Sequence, residues 1–197
     1  MNKIYFEKFK FNKYYKNIDL IDIAKLFIKA APKYYSFFYK KNILKNIVYN
    51  LKNKNSEFKN IYFIRKDKKI IGVATLIKFL NRNSINVFEK ENFKYTKKNV
   101  NSFKKYIDSF SNKFIKLKNY KSSLYISRFA ISKKYYGKDQ IASRLLLFII
   151  KNEKKNLTLH VNRENTRAIN FYRKNNFKIF NDSKYHLQAF FKFKNTH

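Results

Sequence analysis

Apolar and charged positions alternate from Lys3 to Phe11, with Ile4, Phe6 and Phe9 on one side, and this predicts a strand. The period changes at Asp19. Ile23, Leu26, Phe27 and Ala30 recur at three- and four-residue steps, the spacing of one helix face. Asp19 can cap that helix and Pro32 ends it. An aromatic stretch follows (Tyr34, Tyr35, Phe37, Phe38, Tyr39), and then a second helix with Ile43, Leu44, Ile47, Val48 and Leu51 on one stripe. Ile61-Tyr-Phe-Ile and Ile70-Ile-Gly-Val-Ala-Thr-Leu-Ile flank Asp67-Lys-Lys and read as a hairpin.

Residues 82–121 are less regular. Within them Val100, Phe103, Ile107, Phe110, Phe114 and Leu117 fit an amphipathic helix. This insert reads either as a packed surface excursion or as a wall or lid over an acceptor pocket. The last third is the most ordered. A strand, Leu124 to Ile131, leads into a basic loop, Tyr135 to Ala142, and an apolar helix, Ser143 to Asn152. A strand from Leu157 to Val161, a helix from Asn165 to Asn175, and closing strands at Phe177 to Phe180 and Gln188 to Phe193 complete the chain. Strands joined by helices imply a layered α/β sheet, and with no repeat and no Pro/Gly/Ser-rich linker one domain over 1–197 is expected.

Composition sharpens this picture in three ways. The formal net charge of the 197 residues is +34, a balance that raises nucleic acid or an anionic membrane as partner. Lys, Asn, Ile, Phe and Tyr are over-used everywhere, however, while Gly, Pro and Trp are nearly absent, the pattern of AT-rich codons. The charge is therefore read mainly as codon bias, although it still attracts anions such as phosphates. There is no Cys, so disulfides, zinc-thiolate sites and a Cys nucleophile are excluded. No apolar run approaches the roughly 20 residues of a membrane helix, and Met1 to Asn12 lacks the apolar core of a signal peptide. A cytoplasmic protein without membrane attachment is expected.

Two segments carry chemistry. Ile131-Ser-Lys-Lys-Tyr-Tyr-Gly-Lys-Asp-Gln-Ile-Ala-Ser runs from strand to loop to helix. A helix N-terminus presents free backbone N–H groups and the positive end of its dipole, and a loop wrapped against it can aim further N–H groups at a pyrophosphate. Gly137 allows the tight turn, Lys138 adds charge, and Ala142 and Ser143 are small enough for close approach. One-glycine turns of this kind also occur with no ligand at all. The second segment, from Leu157 to Phe177, is a strand, a polar turn with Asn165 as cap, and a short helix. Ala168, Ile169 and Tyr172 share a face of that helix, Phe171 and Phe177 anchor it, and Tyr172 points toward the sheet.

Together the segments resemble the GNAT superfamily of N-acetyltransferases. Asn165, Ala168, Phe171, Tyr172 and Phe177 match its Asn-x-x-Ala-x-x-Phe-Tyr-x-x-x-Gly-Phe helix, and Ile70-Ile-Gly72-Val-Ala looks like its earlier central strand. The loop departs from the family's Arg/Gln-x-x-Gly-x-Gly/Ala pattern. Counting back from Ala142, Gly137 and Gln140 stand at the first and fourth places; counting forward from Lys134, the last small place falls on Asp139. Asn176 replaces the glycine before Phe177 and tolerates a left-handed conformation.

The resemblance implies a mixed, mostly antiparallel sheet of six to seven strands flanked by helices, with the helical insert before the cofactor strand. It implies acetyl-CoA as co-substrate, no metal, and transfer of the acetyl group to a primary amine. Backbone N–H groups of Phe129, Ala130 and Ile131 would hold the pantetheine and polarise the thioester carbonyl. Gly137, Lys138, Asp139, Gln140, Ile141, Ala142 and Ser143 would hold the pyrophosphate, and Asn165 the cofactor arm. Tyr172 would give a proton to the leaving thiolate. The attacking amine must first lose a proton. His160, on the opposite strand face from Leu159 and Val161, is the nearest titratable candidate, with Glu89, Glu91 or a water chain as alternatives. A histidine that only packs or faces solvent is the plainer reading of that position. Arg128, beside Phe129, reads as a sheet-face residue able to pair with an acidic substrate. The acceptor is a small-molecule or peptide amine. Acylation of aminoacyl-tRNA by a toxin-like member, and a catalytically silent CoA-binding domain, stand as alternatives; whether the chain forms a homodimer is open.

Overall fold

In β2 (Ile61–Lys66) Ile61 and Phe63 turn to one side and Tyr62 and Ile64 to the other, and all four are fully buried. A strand apolar on both sides must be covered on both faces. The computed structural model, which describes residues 3–9, 15–39, 41–52, 60–78, 123–181 and 186–194, shows how. The elements run β1 (Ile4–Lys8), α1 (Asn17–Ala30), α2 (Pro32–Tyr39), α3 (Ile43–Leu51), β2, β3 (Lys69–Lys78), β4 (Ser123–Ile131), a 3-10 turn (Lys133–Tyr135), α4 (Ile141–Glu153), β5 (Asn156–Asn162), α5 (Thr166–Lys174), β6 (Lys178–Asn181) and β7 (His186–Phe191). Seven strands make one sheet in the order β1-β2-β3-β4-β5-β7-β6, antiparallel throughout except for β4 beside β5. This is the mixed, mostly antiparallel sheet expected from the resemblance.

Helix α1 lays Ile23, Ala24 and Phe27 on one face of the sheet, with Tyr35 of α2 and Ile47 and Leu51 of α3 in the same apolar cluster. Ile141, Leu145, Leu146 and Ile149 of α4 and Ile169 and Tyr172 of α5 fill the cluster on the other face. Because α4 carries the chain from β4 to the parallel β5, its N-terminus sits at the C-terminal end of that strand pair.

Several local expectations are corrected. Asp19 does not cap α1: Lys16 stands at the cap, and Asp19 lies within the first turn, buried, with Oδ1 accepting from Arg65 Nη1 at 2.7 Å. Asp22 Oδ2 likewise accepts the Ile70 N–H at 3.3 Å, so both carboxylates tie the helix to the β2–β3 hairpin. Pro32 stops α1 but also opens α2, because a proline at the first helical position needs no N–H partner; the aromatic stretch is therefore helical. Helix α4 begins at Ile141, two residues before the expected start, and α5 begins after Asn165. The closing strands begin and end one or two residues away from their expected limits. The insert at 82–121, with Glu89 and Glu91, lies outside the described residues.

The far end of α4 is stapled to the sheet. The Tyr62 hydroxyl donates to Glu153 Oε1 at 2.5 Å, and Lys8 Nζ donates to the same oxygen at 2.8 Å. Burial, and then the adjacent carboxylate, push the Tyr62 phenol far above its ordinary range. Burial alone would raise Glu153, but the hydrogen bonds from Lys8 and Tyr62 outweigh it and hold the carboxyl below its ordinary value.

Candidate active site

The parallel pair β4–β5 is joined only at its beginning. Ser123, Leu124 and Tyr125 stand beside Asn156, Leu157 and Thr158, and beyond that rung the two strands are not paired. A β-bulge explains where the parting starts. The register of β4 on β3 slips between Thr75 and Leu76, which face Arg128 and Ile126, so Ser127 is the extra residue. A bulge bends its strand and increases local twist. The Ser127 hydroxyl lies 2.6 Å from Thr75 Oγ1, which fixes the extra residue to β3.

The parting leaves backbone donors available. In an antiparallel ladder, alternate residues direct their N–H and C=O to the partner strand. The Ser132 N–H donates to Ile71 O at 2.7 Å, and stepping back by two assigns Ala130 to the same side, opposite Val73. Phe129 and Ile131 therefore turn their N–H groups away from β3, toward the gap that β5 has left. Of the three residues expected to present donors, Ala130 is the one whose N–H belongs to the sheet. Gly72, opposite Ile131, permits close packing here: a Cβ on it would lie 2.6 Å from Ile131 Cδ1.

At the open end of the gap the chain turns into α4 through a run of left-handed residues: Gly137 (φ 72), Asp139 (φ 50) and Gln140 (φ 49). Gln140 holds the place where the family pattern has glycine and adopts the conformation that glycine would supply, at a cost of about 1 kcal/mol. The Ile141 N–H is used by Lys138 O at 3.1 Å, while Ala142 and Ser143 head the first turn, whose N–H groups have no intrahelical acceptor. The surroundings are cationic. The Arg167 guanidinium lies 3.8 Å above the Tyr136 ring and Lys29 Nζ 5.0 Å from it, and Lys138 is exposed beside them in the chain. Burial would raise the Tyr136 phenol, but hydrogen bonds from Arg167 and Lys29 bring it below its ordinary value. Arg167 stands in the first turn of α5, where a cation opposes the helix dipole and an anion would be welcome.

Helix α5 reaches the gap from one face. Asn165 caps it, its Oδ1 accepting the Ala168 N–H at 3.1 Å, so the side-chain oxygen is committed locally and the amide NH2 is the group left for a ligand. Asn176 takes the left-handed conformation (φ 64) after the helix. Tyr172 is buried among Phe171, Phe177 and Phe129, with ring centroids 5.1, 5.2 and 6.4 Å away. Its hydroxyl makes no hydrogen bond to a described residue, and burial, followed by the nearby Tyr125, raises its ionisation well above the ordinary phenol value.

The opposite face of the gap is polar. Leu157, Leu159 and Val161 belong to the cluster under α4 and α5, so alternation turns Thr158 and His160 the other way. His160 stands across from Gln188 of β7, its ring 6.4 Å from His186. Tyr125 places its hydroxyl 3.1 Å from His160 Nδ1. On the α1 side, Arg128 Nε donates to the Tyr35 hydroxyl at 3.2 Å and Nη1 to Ser127 O at 2.8 Å. Sequence reasoning passed over Tyr125 and Ser127. A tyrosine within an apolar strand carries no distinguishing pattern, and a bulge is a property of two strands together.

A mixed sheet whose one parallel pair opens toward the N-termini of two helices defines the class, an acyltransferase. The chain belongs to the acetyltransferase (GNAT) family, whose model matches residues 22–177. Solved structures share the fold over nearly their whole length. An N-acetyltransferase from Staphylococcus aureus Mu50 is 16% identical with a TM-score of 0.56, covering 98% of this chain and 99% of that one. A GNAT family acetyltransferase from Elizabethkingia anophelis with acetyl-CoA bound is 12% identical, TM-score 0.53, covering 96% and 97%. The PaiA N-acetyltransferase from Thermoplasma acidophilum in complex with coenzyme A is 14% identical, TM-score 0.53, covering 96% and 99%. A search of curated proteins finds no match. Among the described residues no helix is long and apolar enough to cross a membrane, and no cluster of His, Asp and Glu could hold a metal ion.

Proposed function

We propose that this chain transfers an acetyl group from acetyl-CoA to a primary amine by direct attack of the amine on the thioester. The observation that carries the reading is the parting of β4 and β5 after Tyr125, with the buried Tyr172 hydroxyl beside it. The pantetheine arm lies along the open edge of β4 in place of the missing strand, and the Phe129 and Ile131 N–H groups are its donors. One of them polarises the thioester carbonyl as negative charge develops on oxygen. The pyrophosphate sits on the loop from Gly137 to Ser143 at the start of α4, with Lys138 and Arg167 adding charge, and Asn165 contributes its amide NH2 to the arm. Tyr172 protonates the departing thiolate, and His160 receives the proton that the incoming ammonium must lose.

Binding is tested first. At about 100 times its Kd, acetyl-CoA adds about 2.7 kcal/mol to stability by mass action. For a domain of this size that is a rise in Tm of roughly 5–10 °C. No rise at millimolar acetyl-CoA overturns the reading, and a rise without turnover of any amine favours a silent CoA-binding domain. A turnover screen over polyamines, amino sugars, lysine peptides and aminoacyl-tRNA then identifies the acceptor. The tRNA arm is included because of the net charge of +34.

A further inference from the structure

Tyr125 occupies the last paired rung of β4 on β5, at the apex of the gap. It is buried, and its pairing with Thr158 sets it on the sheet face that Thr158 and His160 share. Its hydroxyl reaches His160, two residues further along β5 on that face, at 3.1 Å from Nδ1. The two rings are tilted at 53° with centroids 5.7 Å apart, so the phenol meets the imidazole by its edge and hydroxyl rather than by stacking. His160 lies two residues past Thr158, on the part of β5 that has already left β4. The contact therefore spans the gap just where backbone pairing ceases. If His160 serves as base, the nitrogen that faces the gap is the one already held by Tyr125.

We infer that Tyr125 is a further catalytic residue, a phenol relay through which the acceptor's ammonium gives up its proton to His160. This rests on the reading of His160 as base. In the step, an N–H bond of the ammonium breaks as the proton passes to Tyr125 Oη, while the Tyr125 O–H proton passes to His160 Nδ1. The products are a neutral amine, an intact phenol and an imidazolium; because Nε2 is buried, the proton leaves from Nδ1 back through the Tyr125 hydroxyl to water in the gap before the next turnover. The amine then attacks the thioester carbon, the C–N bond forms and the C–S bond breaks. Tyr172 protonates the thiolate and is re-protonated by the second proton lost from nitrogen. Net, one proton is released for each amide made. The groups that face this pair are Tyr172 from α5, His186 and Gln188 from β7, and Thr158 on the same strand as His160.

The relay requires Tyr125 to donate and Nδ1 to accept, so neutral His160 must carry its hydrogen on Nε2. Nitrogen-15 NMR of the labelled protein reads this directly, without any acceptor, and the sequence has only three histidines to assign. An Nε2–H tautomer is expected; an Nδ1–H tautomer overturns the relay. Kinetics then follow with acetyl-CoA and the fastest amine of the screen above. Tyr125→Phe and His160→Gln should each lower kcat/KM by about 100-fold, the lower end for loss of a general base, and each should abolish the acid limb of the pH profile. The double variant should fall no further than about twofold below either single one, because both remove one path. Tyr125→Phe with an intact acid limb, or a multiplicative double variant, refutes the relay while leaving His160 as base. His160→Gln with full activity refutes the underlying base assignment instead.

Discussion

Replacing Tyr172 by Phe should separate stability from activity, sparing the first and lowering the second. The residue is buried, but its hydroxyl is not among the polar atoms that are both buried and unpaired. Its deletion leaves the ring contacts with Phe129, Phe171 and Phe177 in place. The variant should therefore keep the parent's Tm to within a few degrees. Turnover should fall. A positioned general acid contributes about 10²–10⁴-fold, which is about 2.7–5.4 kcal/mol of barrier, and even partial replacement by water should leave at least a tenfold loss in kcat. The raised ionisation of Tyr172 also sets the pH behaviour. A group whose pKa is lifted stays protonated as pH rises, so Tyr172 itself should impose no fall in wild-type kcat up to about pH 10. Thiol release from acetyl-CoA, followed with a chromogenic disulfide from pH 6 to 10 alongside a melting curve, measures both. A variant with undiminished kcat refutes the donor role. One whose Tm falls by more than a few degrees shows that the hydroxyl holds the fold and refutes the separation.

Three further outcomes follow from the geometry. Gln140→Gly relieves a left-handed backbone at φ 49, ψ 28, so calorimetry should show a gain of about 1 kcal/mol, roughly 2–4 °C in Tm; a loss would mean that the Gln140 side chain holds the loop. Asn165→Ala removes the cap on the Ala168 N–H and should cost about 1 kcal/mol in denaturant melts, and an unchanged midpoint would show the cap to be idle. Glu153 has a lowered pKa, so its contribution is present above the unfolded value near 4.3 and is lost as pH falls through the folded one. Glu153→Gln should accordingly flatten the fall of Tm between about pH 5 and pH 3, and parallel curves for the two proteins would contradict that linkage.

The parts of the fold that depend on spacing along one stretch of chain were readable in the sequence. The hairpin, the apolar stripes of α1 and α3, and the cap–helix–Phe177 unit each announce themselves through period and punctuation. At Asp19 the pattern misleads, because an acidic residue before an apolar face is an ordinary cap signal. The competing fact, Arg65 placed within 2.7 Å, comes from a strand 46 residues away. The same limit governs the gap. The sequence places Leu124–Ile131 and Leu157–Val161 as strands, but where they stop pairing depends on a bulge at Ser127 fixed by Thr75 of a third strand. The missing loop glycine was the reverse case. Its pattern was visible, but whether Gln140 could bear the left-handed turn was decided by the fold around it.

The distribution of carboxylates constrains the chemistry further. Acidic residues number 12 against 46 basic ones. Among the described residues, Glu7 and Asp19 pair with Arg65, Asp22 accepts from Ile70, and Glu153 is held by Tyr62 and Lys8. Asp67, Asp139 and Glu164 are exposed in turns. None of these sits inside the parting of β4 and β5, where the polar side chains include Tyr125, His160 and Tyr172, with the cationic Arg128 on the α1 side. A carboxylate base in such a gap would carry fixed negative charge at neutral pH and would hold a cationic acceptor as a salt bridge, stabilising the ammonium that must be deprotonated. An imidazole reached through a phenol presents no charge until it has accepted the proton. On the proposed relay the arrangement would favour the neutral amine, and it would tie the rate at low pH to protonation of the imidazole.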